Sequence, residues 1–377
     1  MTLVHEIHSS SLRSYRQCRQ LWQWRHVDNW EPIKKPAPLE DGTVWHKALE
    51  VLYNPDTWTK PLAELYQAAN AALIEEAGKQ CNDYLHRAGK YQLDEDELLD
   101  YKERVDLLRS MLTRLCRTLD RETYKPILVE QEFSCPIRDE SGEQLSCGCS
   151  QCLHVHPSGT YMGRPVTFNC RVDVVLEDKE GYIWAVDHKS TAQLLREDSV
   201  TPELEDQLPQ YLWCLRQNGY SVTGIILNQF RKAVPKPPKR LEHMQQGRQF
   251  SVNKAQLTDI HTARTTFQRR DPKAYKLGLY NEYLAWLAEN GPQYTRQFVV
   301  IKTPDQLDEV GANLLKQTRE VINEGPAIYP NSNRMNCENC SFQLPCFAQQ
   351  SRLDYRAELE AGFVQSEPYY IVRRRQL

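Results

Sequence analysis

Two short apolar segments that each carry an aspartate constrain the fold of this 377-residue chain more than any other feature. Residues 171–175 place Asp173 between valines, and after a short turn residues 185–189 place Asp187 and Lys189 behind apolar residues. β-Branched and apolar residues in short runs, bounded by Gly, Asp and Ser, predict strands. Because side chains alternate along a strand, Asp187 and Lys189 lie on one face. The two segments therefore predict neighbouring strands that bring both acids to the same edge of a sheet.

This combination of two acids and a lysine suits metal chemistry on a phosphodiester. Two carboxylates hold Mg²⁺ or Mn²⁺, and the ammonium of Lys189 stands beside the attacking water and the developing negative charge. A solvent-exposed Asp-x-Lys ion pair at a strand end fits the fragment alone equally well. The apolar residues 183–186 favour the first interpretation, because Asp187 then emerges directly from a buried strand.

The segments around these strands alternate in the manner of a mixed α/β sheet flanked by helices. Strands are predicted at 127–133, 167–177, 182–187 and 221–230. A crossover helix is predicted at 201–215, and Pro209 is expected to kink it. Residues 61–122 are rich in Ala, Leu and charged residues with helical periodicity, which predicts an all-helical insertion.

Five segments are predicted along the chain. They are N-terminal helices at 1–60, the helical insertion at 61–125, the sheet at 126–230 with a cysteine-rich loop at 135–156, a basic loop and helical region at 231–330, and a C-terminal cysteine cluster and tail at 331–377. Serines 9–11 cap a first helix that carries Cys18. A second helix, at 42–52, places His46 and Glu50 on one face.

Composition excludes several classes of protein. With 40% hydrophobic and 26% charged residues, the chain is neither disordered nor fibrous. No run approaches the roughly 18 to 20 consecutive apolar residues of a membrane span, and residues 1–6 lack the basic and apolar regions of an export signal. A cytoplasmic location without a membrane partner is therefore expected. The net charge of −3 gives no long-range attraction to a polyanion, so a nucleic acid must be bound by a local basic surface.

One such surface is predicted directly after the strand at 221–230. A proline-broken loop concentrates positive charge there, and its cations are Arg231, Lys232, Lys236, Lys239, Arg240 and Arg248. This pattern is typical of a surface that contacts the phosphate backbone of DNA. A solvated basic loop without a partner is the alternative interpretation.

Three cysteines near the C-terminus form a metal-binding pattern. Cys337-x-x-Cys340-x₅-Cys346 has the thiolate spacing of zinc and iron–sulfur sites, and both remain open on spacing alone. Cys18 is the candidate fourth ligand. A site built from these four residues, here called the cysteine clasp, would close nearly the whole chain into one loop and hold its two ends together.

A second cysteine group falls between two predicted strands. It comprises Cys135, Cys147, Cys149 and Cys152, followed by His154 and His156. A Cys-x-Cys-x-x-Cys run with an earlier partner is typical of a zinc-stabilised loop, so a structural Zn²⁺ is expected here. The alternative is a loop of free cysteines.

The order of these motifs resembles the PD-(D/E)XK nuclease superfamily. Within it, the chain is similar to the RecB-like branch, which includes the nuclease domains of RecB and AddB and the CRISPR-adaptation nucleases with an iron–sulfur cluster. Gly42-x-x-x-His46 resembles the first motif of the family, Asp173 the second, Asp187-x-Lys189 the third, and Gln207-x-x-x-Tyr211 the fourth. Taken singly, His46 would more often be a core or capping histidine, and Gln207 and Tyr211 the polar shoulder of an amphipathic helix.

The resemblance implies a role for each of these residues. The implied metal ligands are His46, Asp173, Asp187 and the main-chain carbonyl of His188. Lys189 is implied to position and activate the water, while Gln207 and Tyr211 steady the substrate phosphate and the lysine. Tyr15-x-x-Cys18 is similar to the N-terminal cysteine motif of the cluster-bearing members, which implies a 4Fe–4S cluster in the cysteine clasp.

The predicted function is a Mg²⁺- or Mn²⁺-dependent deoxyribonuclease, an exonuclease acting on DNA ends or single strands. Recombination, repair and replication all use this chemistry, and proteins of recombination or replication are the expected partners. A catalytically inactive DNA-binding or recombination-scaffold protein is the alternative, and a zinc-dependent binding module is a third interpretation. Retention of His46, both aspartates and Lys189 argues against a loss of hydrolysis.

Overall fold

A computed structural model describes residues 6–147, 154–155, 161–162, 165–322 and 327–366 of the chain. The helices are α1 (Ser9–Gln17), α2 (Arg19–Trp22) with a π-helical turn at Gln23–Val27, α3 (Ala37–Leu52), α4 (Leu62–Arg87), α5 (Glu95–Thr118), α6 (Thr201–Leu204), α7 (Gln207–Gln217), α8 (Ile260–Arg270), α9 (Pro272–Lys276), α10 (Asn281–Asn290), α11 (Pro304–Ile322), α12 (Arg334–Cys337), α13 (Gln343–Gln350) and α14 (Tyr355–Gly362). The strands are β1 (Glu6–Ile7), β2 (Trp30–Pro32), β3 (Tyr124–Pro136), β4 (His154–Val155), β5 (Tyr161–Met162), β6 (Thr167–Asp178), β7 (Ile183–Thr191), β8 (Val222–Arg231), β9 (Arg240–Gln245), β10 (Arg248–Phe250), β11 (Thr295–Val300) and β12 (Phe363–Gln365).

The central sheet mixes parallel and antiparallel strands. β6 pairs with β3 in antiparallel fashion along its length, with β7 in antiparallel fashion over its second half, and with the short parallel strand β1 at its start. β7 and β8 are parallel and are joined by the crossover helix α7, while β11 adds an antiparallel edge strand to β8. This architecture confirms the predicted α/β fold class, a mixed sheet flanked by helices.

Helices cover both faces of the sheet. α1, α7 and α11 pack on one face, and α3, α4 and α5 pack on the other. Ala185 and Val186, which are neighbours on β7, belong to these two separate cores, as the alternation of side chains along a strand requires. β7 is thus buried on both sides until its apolar run ends at Asp187, which places the first charged residue of the strand at the edge of the core.

Three expectations about local structure are wrong. The helix predicted at 201–215 is two helices, α6 and α7, separated at Glu205 and Asp206. Pro209 is the third residue of α7, where the backbone N–H has no intrahelical acceptor, so Pro209 does not interrupt the helix. Cys18 lies on neither helix: it is an extended residue (φ −163°) between α1 and α2.

The predicted basic loop is part of a folded unit. Residues 232–294, here called the basic insertion, lie between β8 and β11 and contain the β9–β10 hairpin with α8, α9 and α10. They bury their own apolar core, in which the rings of Phe267 and Tyr280 stack at a centroid distance of 3.7 Å. The edge strand β11, which follows this insertion, was absent from the prediction. No helix in the described part of the chain is both long and apolar enough to cross a bilayer.

Candidate active site

Five ionisable side chains from four elements lie close together at the end of β7. They are His46 on α3, Glu130 on β3, Asp173 on β6, and Asp187 and Lys189 on β7. Lys189 Nζ lies 2.9 Å from Asp187 Oδ1. His46 Nδ1 lies 3.0 Å from Glu130 Oε1 and 3.5 Å from Asp173 Oδ1. The structure thus brings together the four sequence-predicted residues His46, Asp173, Asp187 and Lys189, and adds Glu130 to them.

Strand register accounts for the proximity of the two aspartates. Val174 on β6 stands opposite Val186 on β7, and because these strands are antiparallel, Asp173, one residue before Val174, lies across from Asp187, one residue after Val186. Asp173 Oδ2 accepts a hydrogen bond of 2.7 Å from the main-chain N–H of His188. Both aspartates are almost fully buried, with 7% and 1% of their surface exposed.

A divalent cation fits this arrangement of oxygen and nitrogen atoms. Ligand atoms of His46, Glu130 and Asp173 lie within 4.8 Å of one another, which is the only such group of three among the described residues. Asp187 Oδ2 is buried and has no hydrogen-bond partner in the described chain. A buried carboxylate oxygen without a partner is costly, and oxygen ligands are those that Mg²⁺ and Mn²⁺ prefer. The donor set and the unsatisfied oxygen therefore suit a hard cation.

Burial opposes the ionised form of both aspartates. It raises the pKa of Asp173 and of Asp187 above the ordinary carboxyl value, and the positive charges of His46 and Lys189 reduce that rise without cancelling it. The charge of Asp173 also raises the pKa of Asp187, and that of Glu130 raises the pKa of Asp173, because like charges resist ionisation at close range. A cation bound between them would remove this penalty.

The two cationic side chains respond to the same acids in the opposite sense. Burial alone would lower the pKa of Lys189, but Asp187 and Asp173 more than offset it, so the pKa of Lys189 lies above its ordinary value. Burial likewise opposes protonation of His46, and Asp173 with Glu130 raises its pKa overall. Lys189 is therefore a firmly charged ammonium beside the acids.

His188 points away from this cluster. Its ring is fully buried between Tyr53 and Phe230, with centroid distances of 5.3 and 5.9 Å. Burial lowers the pKa of the ring to about 3, so the imidazole is neutral. Only the main chain of His188 faces Asp173, which is compatible with the predicted use of its carbonyl rather than its ring.

Glu130 is the site residue that the sequence analysis missed. It lies within β3 at a φ of 48°, a left-handed conformation that costs free energy in a non-glycine residue. Its side chain is 7% exposed and pairs with Arg171 Nε at 2.7 Å as well as with His46. A carboxylate on one nitrogen of a metal-binding histidine fixes the ring and leaves the other nitrogen for the metal. The only sequence signal was an acid directly after the apolar residues 127–129.

The residues of the fourth motif lie on α7 and adjoin the acids. Gln207 Nε2 donates a hydrogen bond of 2.5 Å to the hydroxyl of Tyr211, one helical turn away. Burial, together with the negative charges of Asp187 and Asp173, holds the pKa of Tyr211 well above its usual value. Tyr211 thus remains a neutral hydrogen-bonding group next to the carboxylates.

The cysteine clasp gathers around a separate apolar cluster. Cys18, Cys340 and Cys346 pack against a core that includes Trp24 and Phe342. Each clasp thiol is half-buried, and the main-chain N–H of Asn331 donates to Cys18 Sγ at 3.4 Å while Gln350 Nε2 donates to Cys346 Sγ at 3.2 Å. Pairing of β2 with β12 joins the same two ends of the chain.

The second cysteine group is only partly described. Cys149, Cys152 and His156 lie outside the described residues, as does the side chain of His154. Cys147 is buried in the sheet core, and the fully buried Cys135 has its Sγ 2.8 Å from Cys214 Sγ on α7. The zinc site at these positions stays a prediction.

The six cations of the predicted basic loop separate into two kinds. Lys232 Nζ forms a half-buried ion pair with Asp41 at 2.9 Å, and Arg231 packs near the ring of Tyr294. Arg248 is half-buried and donates to the carbonyl of Leu279. The other three, Lys236, Lys239 and Arg240, are exposed. Three of the six cations therefore have structural contacts, and three are free to meet a ligand.

Glu130→Gln is expected to weaken Mn²⁺ binding by roughly 10- to 100-fold, because it removes a charge that either contacts the cation or orients His46. Glu132→Gln is the matched control, since Glu132 lies two residues away on the same strand and is exposed. Isothermal titration of metal into both variants measures the difference. Equal affinities for the two variants would assign Glu130 a purely structural role with Arg171.

Comparison with protein-family models gives a match over most of the chain. The family model described as the PD-(D/E)XK nuclease superfamily matches residues 9–347, which include every residue of the candidate active site and of the cysteine clasp. No curated protein matches the chain.

Proposed function

The chain belongs to the PD-(D/E)XK nuclease superfamily, and we propose that it is a Mg²⁺- or Mn²⁺-dependent deoxyribonuclease that acts as an exonuclease on DNA ends or single strands. The observation that carries this proposal is the buried Asp187, which has one oxygen in contact with Lys189 and the other without a hydrogen-bond partner in the part of the chain that the structure describes. A purely structural ion pair would not need Asp173, His46 and Glu130 around it. Recombination, repair or replication is the proposed setting, with proteins of those processes as partners.

In this proposal the metal ligands are His46, Asp173, Asp187 and the main-chain carbonyl of His188, with Glu130 within reach of the same position. When bound, the cation lowers the pKa of a coordinated water and offsets negative charge on the scissile phosphate. The buried carboxylates suit this role because they are held in place before the metal arrives and have few competing partners.

Lys189 supplies a second positive charge at the reacting phosphate. Its contact with Asp187 orients the ammonium, and 36% of its side chain remains exposed, so a substrate can reach it. There it stabilises negative charge that develops as water attacks phosphorus. In this proposal Tyr211, whose hydroxyl accepts a hydrogen bond from Gln207, donates a hydrogen bond to a phosphate oxygen or steadies the lysine.

We further propose that the cysteine clasp holds a 4Fe–4S cluster. Four sulfurs at about 2.3 Å from a tetrahedral zinc stand about 3.8 Å apart. No three of the four clasp thiols, all of which are described, lie within 4.8 Å of one another. This wider spacing supports a larger polynuclear cluster over a single zinc ion. None of the ten described cysteines is in a disulfide, which supports a reducing compartment, and we propose the cytoplasm.

The direct test measures cleavage of end-labelled single- and double-stranded DNA by anaerobically purified protein. Activity that requires Mg²⁺ or Mn²⁺, disappears with EDTA and shortens labelled ends stepwise supports the proposal. Full DNA binding without cleavage under every metal condition would instead identify an inactive DNA-binding protein.

The stabilisation of the protein by Mn²⁺ is expected to grow as the pH rises from about 5 to about 8. The raised pKa values of Asp173 and Asp187 mean that the folded chain holds these protons more tightly than the unfolded chain. Without metal, their contribution to stability therefore falls as pH rises. Metal binding requires the deprotonated groups, so the stabilisation by bound metal increases as the pH rises. It reaches about 2.7 kcal/mol when free Mn²⁺ is in hundredfold excess over its Kd.

Melting curves with Mn²⁺ and with EDTA at each pH measure this stabilisation. Asp187→Asn, which cannot ionise at this position, should flatten the pH dependence. A stabilisation that is independent of pH in the unmodified protein would show that the cation binds elsewhere.

A further inference from the structure

The basic insertion is a structural unit that the core of the protein positions firmly. Arg231 N donates to the carbonyl of Tyr294 at 2.8 Å, which closes the neck of the insertion. Arg114 on α5 donates to the carbonyls of Ala233 and Arg231, and its guanidinium lies 4.9 Å from the centroid of the Tyr294 ring. These contacts bind both ends of the insertion to the helical layer of the core, so its surface has a defined place.

Charge is distributed very unevenly between this unit and the rest of the chain. Residues 232–294 contain 11 Lys and Arg against 5 Asp and Glu, a net charge of +6. The remaining residues contain 36 against 45, a net charge of −9. The insertion is therefore a positively charged unit on an otherwise acidic protein, and a polyanion would be attracted to it and repelled elsewhere.

Most of this positive charge is exposed and unpaired. The exposed cations are Lys236, Lys239, Arg240, Lys254, Arg264, Arg269, Arg270, Lys273 and Lys276, and none of them pairs with an acid of the described chain. Four of the nine fall in the eight residues 269–276, across the end of α8 and the whole of α9. The acid within that stretch, Asp271, is buried and accepts hydrogen bonds from Gln249 N and the hydroxyl of Tyr280. Its charge is thus turned inward, and the outer surface is left positive.

The insertion leaves the sheet at the edge that carries the candidate active site. β7 and β8 run parallel, with Lys189 opposite Gln229 and Thr191 opposite Arg231. Lys232 N donates to the carbonyl of Thr191, two residues beyond Lys189. The Lys232 side chain reaches Asp41 on α3, the helix that carries His46. The basic insertion therefore begins beside the acids and Lys189.

We propose that the basic insertion binds the sugar–phosphate backbone of DNA outside the scissile position and supplies most of the affinity for substrate, with little part in the chemical step. This inference rests on the proposed nuclease function. It extends the binding surface from the proline-rich loop to α8 and α9, whose cations are held on a folded core. The acidic remainder of the chain restricts DNA to this face.

Replacement of the four clustered cations tests the proposal in the full-length protein. We expect R269Q/R270Q/K273Q/K276Q to bind DNA roughly 10- to 100-fold more weakly at 0.1 M salt. The slope of log affinity against log salt concentration should become less negative by about 3. Binding is measured by fluorescence anisotropy in EDTA, where metal-dependent cleavage does not occur. The single-turnover cleavage rate with Mn²⁺ at saturating DNA should be unchanged.

A matched variant removes the same charge from other surfaces. K60Q/K102Q/R117Q/K179Q replaces four exposed cations outside the insertion, and we expect it to retain most of the affinity and the full salt dependence. Melting curves confirm that both variants are folded. Equal losses in the two variants would mean that net charge alone governs binding and would overturn the proposal, as would unchanged affinity in the first variant.

Two further outcomes separate this inference from the proposed function. If the unmodified protein cuts DNA and R269Q/R270Q/K273Q/K276Q binds DNA with the same affinity as the unmodified protein, the inference alone is overturned. An unmodified protein that neither binds nor cuts DNA would overturn the nuclease function and the inference together. Binding of the full-length protein to RNA but not to DNA would also overturn the inference.

Discussion

Lys189→Ala is expected to reduce the rate of DNA cleavage by roughly 10²- to 10³-fold or more, the scale for deletion of one preorganised electrostatic contact in a transition state. The ammonium of Lys189 contacts Asp187, and the negative charges of both aspartates raise the pKa of Lys189 and so favour its charged form. Because Lys189 is not a metal ligand in the proposed site, Mn²⁺ affinity and DNA affinity should remain nearly unchanged. Single-turnover kinetics at saturating DNA and metal isolate this effect on the chemical step.

Asp173→Ala provides the contrast that identifies the separate roles. It removes a charged ligand, so metal affinity should fall and excess Mn²⁺ should partly restore the rate. Lys179→Ala, in the turn before β7, is the control for loss of an exposed lysine. Cleavage by Lys189→Ala at close to the unmodified rate would make the Asp187–Lys189 pair structural and remove the main support for the nuclease assignment.

Cys340→Ser is expected to bleach the visible absorbance of anaerobically purified protein and to lower its melting temperature by roughly 10 °C or more. Binding free energy at such a site is folding free energy, and here the site would join residues near both ends of the chain. The guanidinium of Arg25 lies near the Cys340 thiol and over the Phe342 ring, so Cys340→Ser would also remove a thiolate that faces this positive charge.

Cys81→Ser is the matched control for this experiment. Cys81 is half-buried on α4 in the helical insertion, and it is remote in sequence from every clasp residue. It should keep full absorbance and stability. Iron analysis accompanies both variants. A Cys340→Ser protein that retains its iron, colour and melting temperature would show that Cys340 is not a ligand, and colourless unmodified protein containing zinc would replace the cluster by a zinc site.

The central part of the fold was predictable because its signals are local. The strands at β3, β6, β7 and β8 are marked by short β-branched runs, and the helical insertion by a long periodic pattern that α4 and α5 follow closely. The spacing within Asp187-x-Lys189 fixes those two side chains on one face of a strand whatever the rest of the chain does. Short edge strands such as β11 carry weaker signals, and that strand was missed.

The remaining differences arise where tertiary contacts override local preference. A helix was expected across 201–215, but the chain turns at Glu205 and Asp206, whose side chains pair with Arg13 and Arg16 on α1. The pattern of the proline-rich basic segment predicts a loop because its hairpin packs on a core supplied by α8, α9 and α10, which follow later in the chain. Propensity over a short window contains no information about such partners.

The sequence by itself determined the strand pair, the spacing of Asp187 and Lys189 and the mixed sheet, because each depends on neighbouring residues or on residue type. Only the tertiary structure decided that Glu130 joins His46 and Asp173, since 84 residues separate Glu130 from His46. It alone decided that Asp187 has an oxygen without a hydrogen-bond partner among the described residues, and that residues 232–294 fold into a unit that leaves the sheet close to Lys189. These properties depend on distances between residues far apart in the chain, which packing of the helices on the sheet establishes and no local pattern encodes.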